Sequence, residues 1–331
     1  MVSALRHCAS GIRKSACGIR KNERGVALLA VLLGIALMTL VVVDFAMTAG
    51  LGFVSAANQA NELRAYYLGR SGVNLGLALL AEDARADAKA DSPLDSLNDV
   101  WAMPFPTMPL EGGNVSVVVV DETRKLNINA MMDQNGTPNL PAIQRMERLF
   151  TILNVDAALI PGIVQWITPS AMGAPSGGNA DYYLGLRPPY QPRNGPMPTI
   201  ADLQLVKGIN EAVFNRIRPF LTVMPETQVN VNTASGQVLA SLEPELMEDQ
   251  KTVEEIIAAR QTRPFTKVTD VVNDIPGVAA FGTRLTQVLT TRSQYFTING
   301  VGTYADARKI ISATFHREQT GIGTLTNWHE D

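Results

Sequence analysis

Few residues in this chain could do chemistry. Its three histidines are His7, His316 and His329, the first in a basic N-terminal stretch and the last near the end of the chain. Both cysteines, Cys8 and Cys17, precede Gly25. Nucleophilic triads and histidine-rich metal sites therefore lack parts, and paired acids such as Glu254-Glu255 read as a solvated helix face. The bond the sequence marks for reaction is one the chain undergoes rather than attacks. Arg6, Arg13, Lys14, Arg20, Lys21 and Arg24, against a single Glu23, end at Gly25, and an apolar run begins at Val26. An ordinary secretory signal loses its apolar segment on cleavage. A cut between Gly25 and Val26 would keep it as the new N-terminus; the alternative is an uncleaved anchor.

The element that would position this junction is a membrane helix. Val26 to Val43 carries no charge, and about 18 residues at 1.5 Å each span roughly 27 Å, close to the hydrocarbon thickness of a bilayer. The basic flank should stay cytoplasmic and send the remainder outward. Asp44 follows the uncharged run; it either pairs with a basic group on a partner helix or marks the outer boundary in water. The formal net charge of −3 includes the six cations and one acid of the leader, so the chain beyond Gly25 is more acidic still, which argues against nucleic acid. That part has no cysteine and so no disulfide. About 270 residues beyond the anchor predict two packed units.

Beyond the anchor, Leu63, Tyr66, Tyr67, Arg70, Val73, Asn74, Leu77 and Leu80 recur at three- and four-residue spacing, which predicts that one helix of roughly 50 to 60 residues continues into the globular part with this stripe inward. Asp91-Ser92-Pro93 should break it. Asn114 to Val120 is too β-branched for a helix, and Glu122 to Lys125 reads as a turn into Leu126 to Asn129, predicting a hairpin against the long helix. Gln294–Val301, Asp306–His316 and Thr320–Trp328, separated by glycines, read as further strands. Helical segments are expected at Leu140–Leu153, Ala157–Ile167, Ile200–Leu205, Glu211–Phe220, Thr252–Arg260 and Arg284–Leu289. Helix followed by antiparallel strands is the α+β plan. A Gly- and Pro-rich loop from Thr168 to Pro198 interrupts the helices, and loops of that length are usually functional or held by something specific.

Taken together, Arg24-Gly25 before the apolar helix, the Asp121-to-Asn129 strand pair, Trp166 with Tyr182-Tyr183, Leu203 to Gly208, Val229-Asn230-Val231-Asn232-Thr233-Ala234 and Arg260 with Pro264-Phe265 resemble the K-type minor pseudopilin family of type II secretion systems. The resemblance covers nearly the whole chain. It implies a pilin-like long helix packed on a small antiparallel sheet, with a large inserted helical, SAM-like domain. The domains expected on that plan are a prepilin-type leader (1–25), a membrane and assembly segment (26–54), a pilin-like part (55–130), a helical insert (131–290) and returning pilin-like strands (291–331). It further implies cleavage by a prepilin peptidase, single-pass residence in a bacterial inner membrane with the globular part in the periplasm, and I- and J-type minor pseudopilins as neighbours at the tip of a short pseudopilus. A secreted protein or the outer-membrane secretin would face the insert.

Two departures bear on that expectation. The residue five places into the processed chain is Ala30, where most pilin-like subunits carry a glutamate that neutralises a neighbour's terminal amine. A buried carboxylate in lipid is costly unless paired, so its absence fits a subunit with no predecessor. The family's loop also resembles a calcium site. Here the matching positions are Gln165, Thr168, Ser170 and Asn179, with Asp181 the clear carboxylate, whereas calcium takes six to eight oxygens. Metal held by Asn179 and Asp181 is one way of ordering the loop; packing of Tyr182, Tyr183 and Tyr190 with Pro188 and Pro189 is the other. A rival reading comes from Leu203-x-x-Val206-x-Gly208-Ile209 and Ile275-Pro276-Gly277-Val278, which resemble helix-hairpin-helix turns of membrane-anchored DNA-uptake proteins. DNA binding would need a basic surface beside them.

Overall fold

The computed structural model describes residues 23–169, 180–318 and 323–330. The chain forms two compact units, Met1–Gln59 and Ala60–Asp331. Helix α1 runs from Glu23 to Asp87, 65 residues, and ends short of Asp91-Ser92-Pro93. In the first unit its side chains from residue 25 onward are exposed. Among the described residues, α1 is the one helix long and apolar enough to cross a membrane.

In the second unit the buried face of α1 is Ala65, Leu68, Gly69, Gly72, Val73, Gly76, Leu80 and Asp83. This differs from the stripe expected from the large side chains: Leu63 and Tyr67 are more than half exposed, and Arg70 and Asn74 face solvent. Glycine decides the difference. A Cβ on Gly72 would lie 2.8 Å from both Gly300 Cα and Ser116 O, and one on Gly300 would collide with the Gly69 carbonyl and the Val73 amide. Helix backbone therefore rests on sheet backbone, an approach closed to any residue with a Cβ.

That sheet has five antiparallel strands. Strands β1 (Met108–Leu110) and β2 (Gly113–Asp121) come first in the chain, and its order is completed by β7 (Tyr295–Tyr304), β8 (Ala307–Arg317) and β9 (Gly323–Glu330). The last three fall where the C-terminal strands were expected. The expected hairpin of 114–120 with 126–129 does not form. Strand β2 pairs with β7, from Asn114↔Thr303 to Asp121↔Phe296, while β3 (Leu126–Asn127) pairs in parallel with β4 (Leu221–Thr222). The turn explains the exchange: Asp121 Oδ1 accepts from the Thr123 amide at 2.7 Å, and Lys125 ties to Glu122 at 2.7 Å. The chain is thus bent away after Asp121, and a nine-residue strand takes the ten-residue β7 as partner instead.

Among the described residues nine α-helices follow. They are α2 (Leu140–Ile152), α3 (Ile160–Ile167), α4 (Ala180–Leu184), α5 (Glu211–Ile217), α6 (Gly236–Leu242), α7 (Pro244–Glu248), α8 (Gln250–Thr262), α9 (Val268–Asp274) and α10 (Gly282–Val288). Residues 200–205 form a 3-10 helix. The short parallel pair β5 (Val229–Asn230) and β6 (Leu289–Thr290) lies among them. Two hydrophobic clusters result. One joins Val73 and Leu80 to Trp101, Phe296, Ile298 and Ile311 under the sheet; the other is built from the helices around Phe150, Ile163, Trp166, Ile217 and Leu239.

Candidate functional site: anchor helix, tyrosine loop and buried polar junction

Gly25, Val26, Ala30 and Asp44 all lie on α1 in the first unit, with exposed side chains along an apolar surface. A Cβ at Gly25 would meet nothing within 4 Å, so glycine there answers no packing demand of the chain itself.

Of the candidate metal ligands, Ser170 and Asn179 lie outside the described residues. Asp181 opens α4 and is exposed. The Thr168 hydroxyl donates to the Val164 carbonyl at 2.7 Å, and Gln165 precedes Trp166 on α3. The described members of the set supply one carboxylate, which is a poor match to a calcium cage. Aromatic contacts hold the neighbouring chain. Trp166 meets Tyr183 edge-on at 5.3 Å, and Tyr183 lies 5.4 Å from Tyr190. Tyr183 is 2% exposed and its hydroxyl accepts from the Lys207 amide at 3.0 Å, while Tyr190 donates to the Leu205 carbonyl at 2.9 Å. Such ring pairs add about 0.5–1.5 kcal/mol beyond their burial.

The two hairpin-like turns join helices. Val206 and Ile209 are buried, and Gly208 takes φ +88° against Leu159. The second turn has Gly277 pressed onto Thr252 of α8 and lies between Asp270, Asp274 and α10.

The polar groups that the fold does bring together are elsewhere. The Asn-x-Asn-Thr-Ala segment closes a buried junction. Asn230 Nδ2 donates to the Asp95 carbonyl at 3.0 Å and to Ser293 Oγ at 2.8 Å. Asn232 exchanges two hydrogen bonds of 2.9 Å with the Phe265 backbone. Thr233 and Ser293 both donate to Asp121 Oδ2, at 2.5 and 2.7 Å. Asp95, fully buried, accepts from the Ser293 amide at 2.8 Å and from Arg317 Nη1 at 2.7 Å; Arg317 Nη2 reaches Asp83 on α1 at 2.8 Å. One carboxylate oxygen from each of Asp83, Asp95 and Asp99 lies within 4.8 Å of the others.

Arg317 cannot neutralise all of them. Burial, only partly offset by Arg317, pushes Asp95 up to about 7 and Asp83 up to about 6. A carboxyl whose pKa is raised on folding stabilises the fold while protonated and loses that contribution as pH rises through the folded value. Thermal melts should therefore show a lower Tm at pH 8 than at pH 5.5. Because Asp83 titrates about 6, much of its loss has already occurred by pH 5.5 and the part left to that window is below about 1 kcal/mol, and Asp95→Asn should flatten the dependence.

Sequence reasoning used residues 229–234 as a family mark and missed this junction. No local pattern marks it: Asp95 stands among Asp91, Ser92, Ser96, Asn98 and Asp99, and Arg317 between His316 and Glu318.

Comparison with known proteins agrees with this architecture. The family descriptions of type II secretion system protein K match residues 124–226 and 229–292, together half of the chain. A Pseudomonas aeruginosa type II secretion system protein K is 27% identical over 308 residues, covering 91% of this chain and 90% of the relative. The Klebsiella pneumoniae protein K is 26% identical, covering 67% and 71%. The solved GspK-GspI-GspJ complex from the type 2 secretion system of enterotoxigenic Escherichia coli contains a chain of the same fold, with TM-score 0.69, 18% identity and coverage of 84% of this chain and 99% of that one. No comparison favours a DNA-uptake protein. The chain belongs to the type II secretion system protein K family.

Proposed function

We propose that this chain is a minor pseudopilin that supports protein export across the outer membrane by assembly and binding, not by catalysis. It is cut between Gly25 and Val26, held in the inner membrane by the apolar start of α1 with the globular part in the periplasm, and placed at the tip of the pseudopilus beside I- and J-type subunits. The observation that carries the reading is α1 itself: one unbroken helix from Glu23 to Asp87 whose first part is apolar all round and whose last part packs on a sheet. The partner assignment is supported by the GspK-GspI-GspJ complex, whose matching chain shares the fold. Ala30 supports the tip position, because a first subunit has no preceding amine for a carboxylate to neutralise. Mass spectrometry of the protein from membranes with active prepilin peptidase should find Val26 as N-terminus. Gly25→Leu should abolish processing, since a side chain at the scissile residue blocks close approach of the peptidase to the backbone; an intact Met1 leader in the unmutated protein would refute the assignment.

The tyrosine loop is held by packing in this reading. Chelator should leave Tm unchanged. A drop of several degrees reversed by calcium would show that metal orders the loop, because a ligand bound only by the folded state adds stability by mass action.

A further inference from the structure

The turn between β1 and β2 holds a glutamate in a backbone conformation foreign to it. Leu110 pairs with Gly113, so the turn is the two residues Glu111 and Gly112, with φ +48° and +81°. A two-residue hairpin turn with both φ values positive favours asparagine, aspartate or glycine followed by glycine. Gly112 fits that rule and Glu111 does not. An ordinary L-residue is strained there by the approach of its Cβ to the backbone, and such strain gathers where a residue serves a ligand or a partner.

A cavity of about 290 Å³ opens beside this turn, lined by Leu110 and Glu111, by Tyr304 at the end of β7, and by Arg64, Tyr67 and Leu68 of α1. Much of its wall is aromatic or aliphatic. Tyr67 is 55% exposed and Leu110 41%, so both offer apolar surface to an incoming group. The Arg64 guanidinium stacks 4.8 Å from the centre of the Tyr304 ring, and its Nη1 donates to the Tyr304 hydroxyl at 2.8 Å. Those contacts hold Arg64 against the cavity wall, yet among the described residues it forms no ion pair. Glu111 has neither hydrogen bond nor ion pair among them. A cation and an anion thus line one cavity without pairing, which leaves each to a group from outside. Water hydrates an exposed carboxylate anywhere on the surface and gives no reason to keep one on a strained turn.

We propose that this cavity receives an apolar or aromatic side chain of a neighbouring minor pseudopilin, with a basic group of that subunit meeting Glu111 and a carboxylate meeting Arg64. The docking site rests on the assembly role proposed above, and the two can fail separately. Tyrosine and arginine are prominent among the residues that dominate interface energies, and opposed charges at the rim set register and encounter rate.

The full-length protein in detergent is titrated with a purified complex of the I- and J-type subunits, and Kd is read by fluorescence anisotropy. Glu111→Asn should weaken binding about fivefold or more and yet raise Tm, because asparagine accepts the left-handed turn that strains glutamate. Arg64→Ala should weaken binding about fivefold and Tyr67→Ala about tenfold, each with Tm near the parent's, since both side chains are exposed. Lys251→Ala, at a side chain 84% exposed on α8, is the charge control and should bind as the parent does. A parent that binds the complex with the same Kd as Glu111→Asn and Arg64→Ala overturns the docking site and leaves the assembly role standing. A parent that fails to bind the complex overturns both. Glu111→Asn melting well below the parent would show that the glutamate serves the fold, and would overturn its assignment to a partner.

Discussion

Gly300→Val is expected to prevent α1 from seating on the sheet and to leave little folded protein. The added Cβ would fall on the Gly69 carbonyl and the Val73 amide, backbone atoms that no rotamer change can move aside. Forcing even extra methylenes into packed side chains typically costs about 1–3 kcal/mol, and here a whole side chain meets a main chain, so the loss should lie at or above the top of that range. Gly72→Val tests the same contact from the helix side, where Ser116 O and Gly300 Cα each stand 2.8 Å from the Cβ position. Gly195→Ala is the control, with nothing within 4 Å of its Cβ. Chemical denaturation should place both valine variants far below the parent and the control beside it. Equal stability of Gly300→Val and parent would mean that helix and sheet are not in backbone contact.

The same glycines show what could be read from the sequence. The anchor, the break after α1, the three C-terminal strands and helices such as α2 and α8 were legible because each rests on local pattern: an uncharged run, alternation, or three-four spacing. The stripe on α1 was legible in part: Val73 and Leu80 are buried and Tyr66 and Leu77 pack beside them, whereas Gly69, Gly72 and Gly76 carry the backbone contact and have no hydrophobicity to read. The hairpin failed for a different reason. Two short apolar runs flanking a turn satisfy the local rule, but the pairing of β2 with β7 is decided by strand length and by bonds made over more than 170 residues. Helix α6 was missed because its residues from Val238 to Leu242 are all buried, which erases the amphipathic pattern.

The candidate site divides along the same line. The proposed processing site at Gly25 and Val26 rests on a junction of a basic stretch with an apolar run, a local pattern of the kind sequence displays. The polar junction was not legible, since Asp83, Asp95, Asp121, Asn230, Ser293 and Arg317 come from separate parts of the chain and converge only on folding. Each of them taken singly looks like an ordinary surface residue. Burial is what turns them into a high-stakes network, where every unmade bond costs more than in water.

Arg317→Ala should be the most damaging charge deletion in the second unit at neutral pH. Arg317 holds Asp95 at 2.7 Å and Asp83 at 2.8 Å, with Asp87 at 3.8 Å, and its own side chain is 4% exposed. Removing one member of a buried ion pair leaves the partner charge uncompensated, at a cost of about 3–5 kcal/mol, and here two buried carboxylates lose their cation together. The loss should itself depend on pH. Without the guanidinium, Asp83 and Asp95 take up protons more readily than in the parent, where burial already raises both. Protonation removes the charge that Arg317 served. Denaturation curves at pH 5 should therefore show a smaller gap between variant and parent than curves at pH 8. Restoring positive charge with Arg317→Lys should recover only part of the difference, because one ammonium cannot span Asp83 and Asp95 as the two guanidinium nitrogens do. A gap that is the same at both pH values would show that Arg317 acts through its packing over the Phe296 ring, 4.7 Å away, and not through the carboxylates it joins.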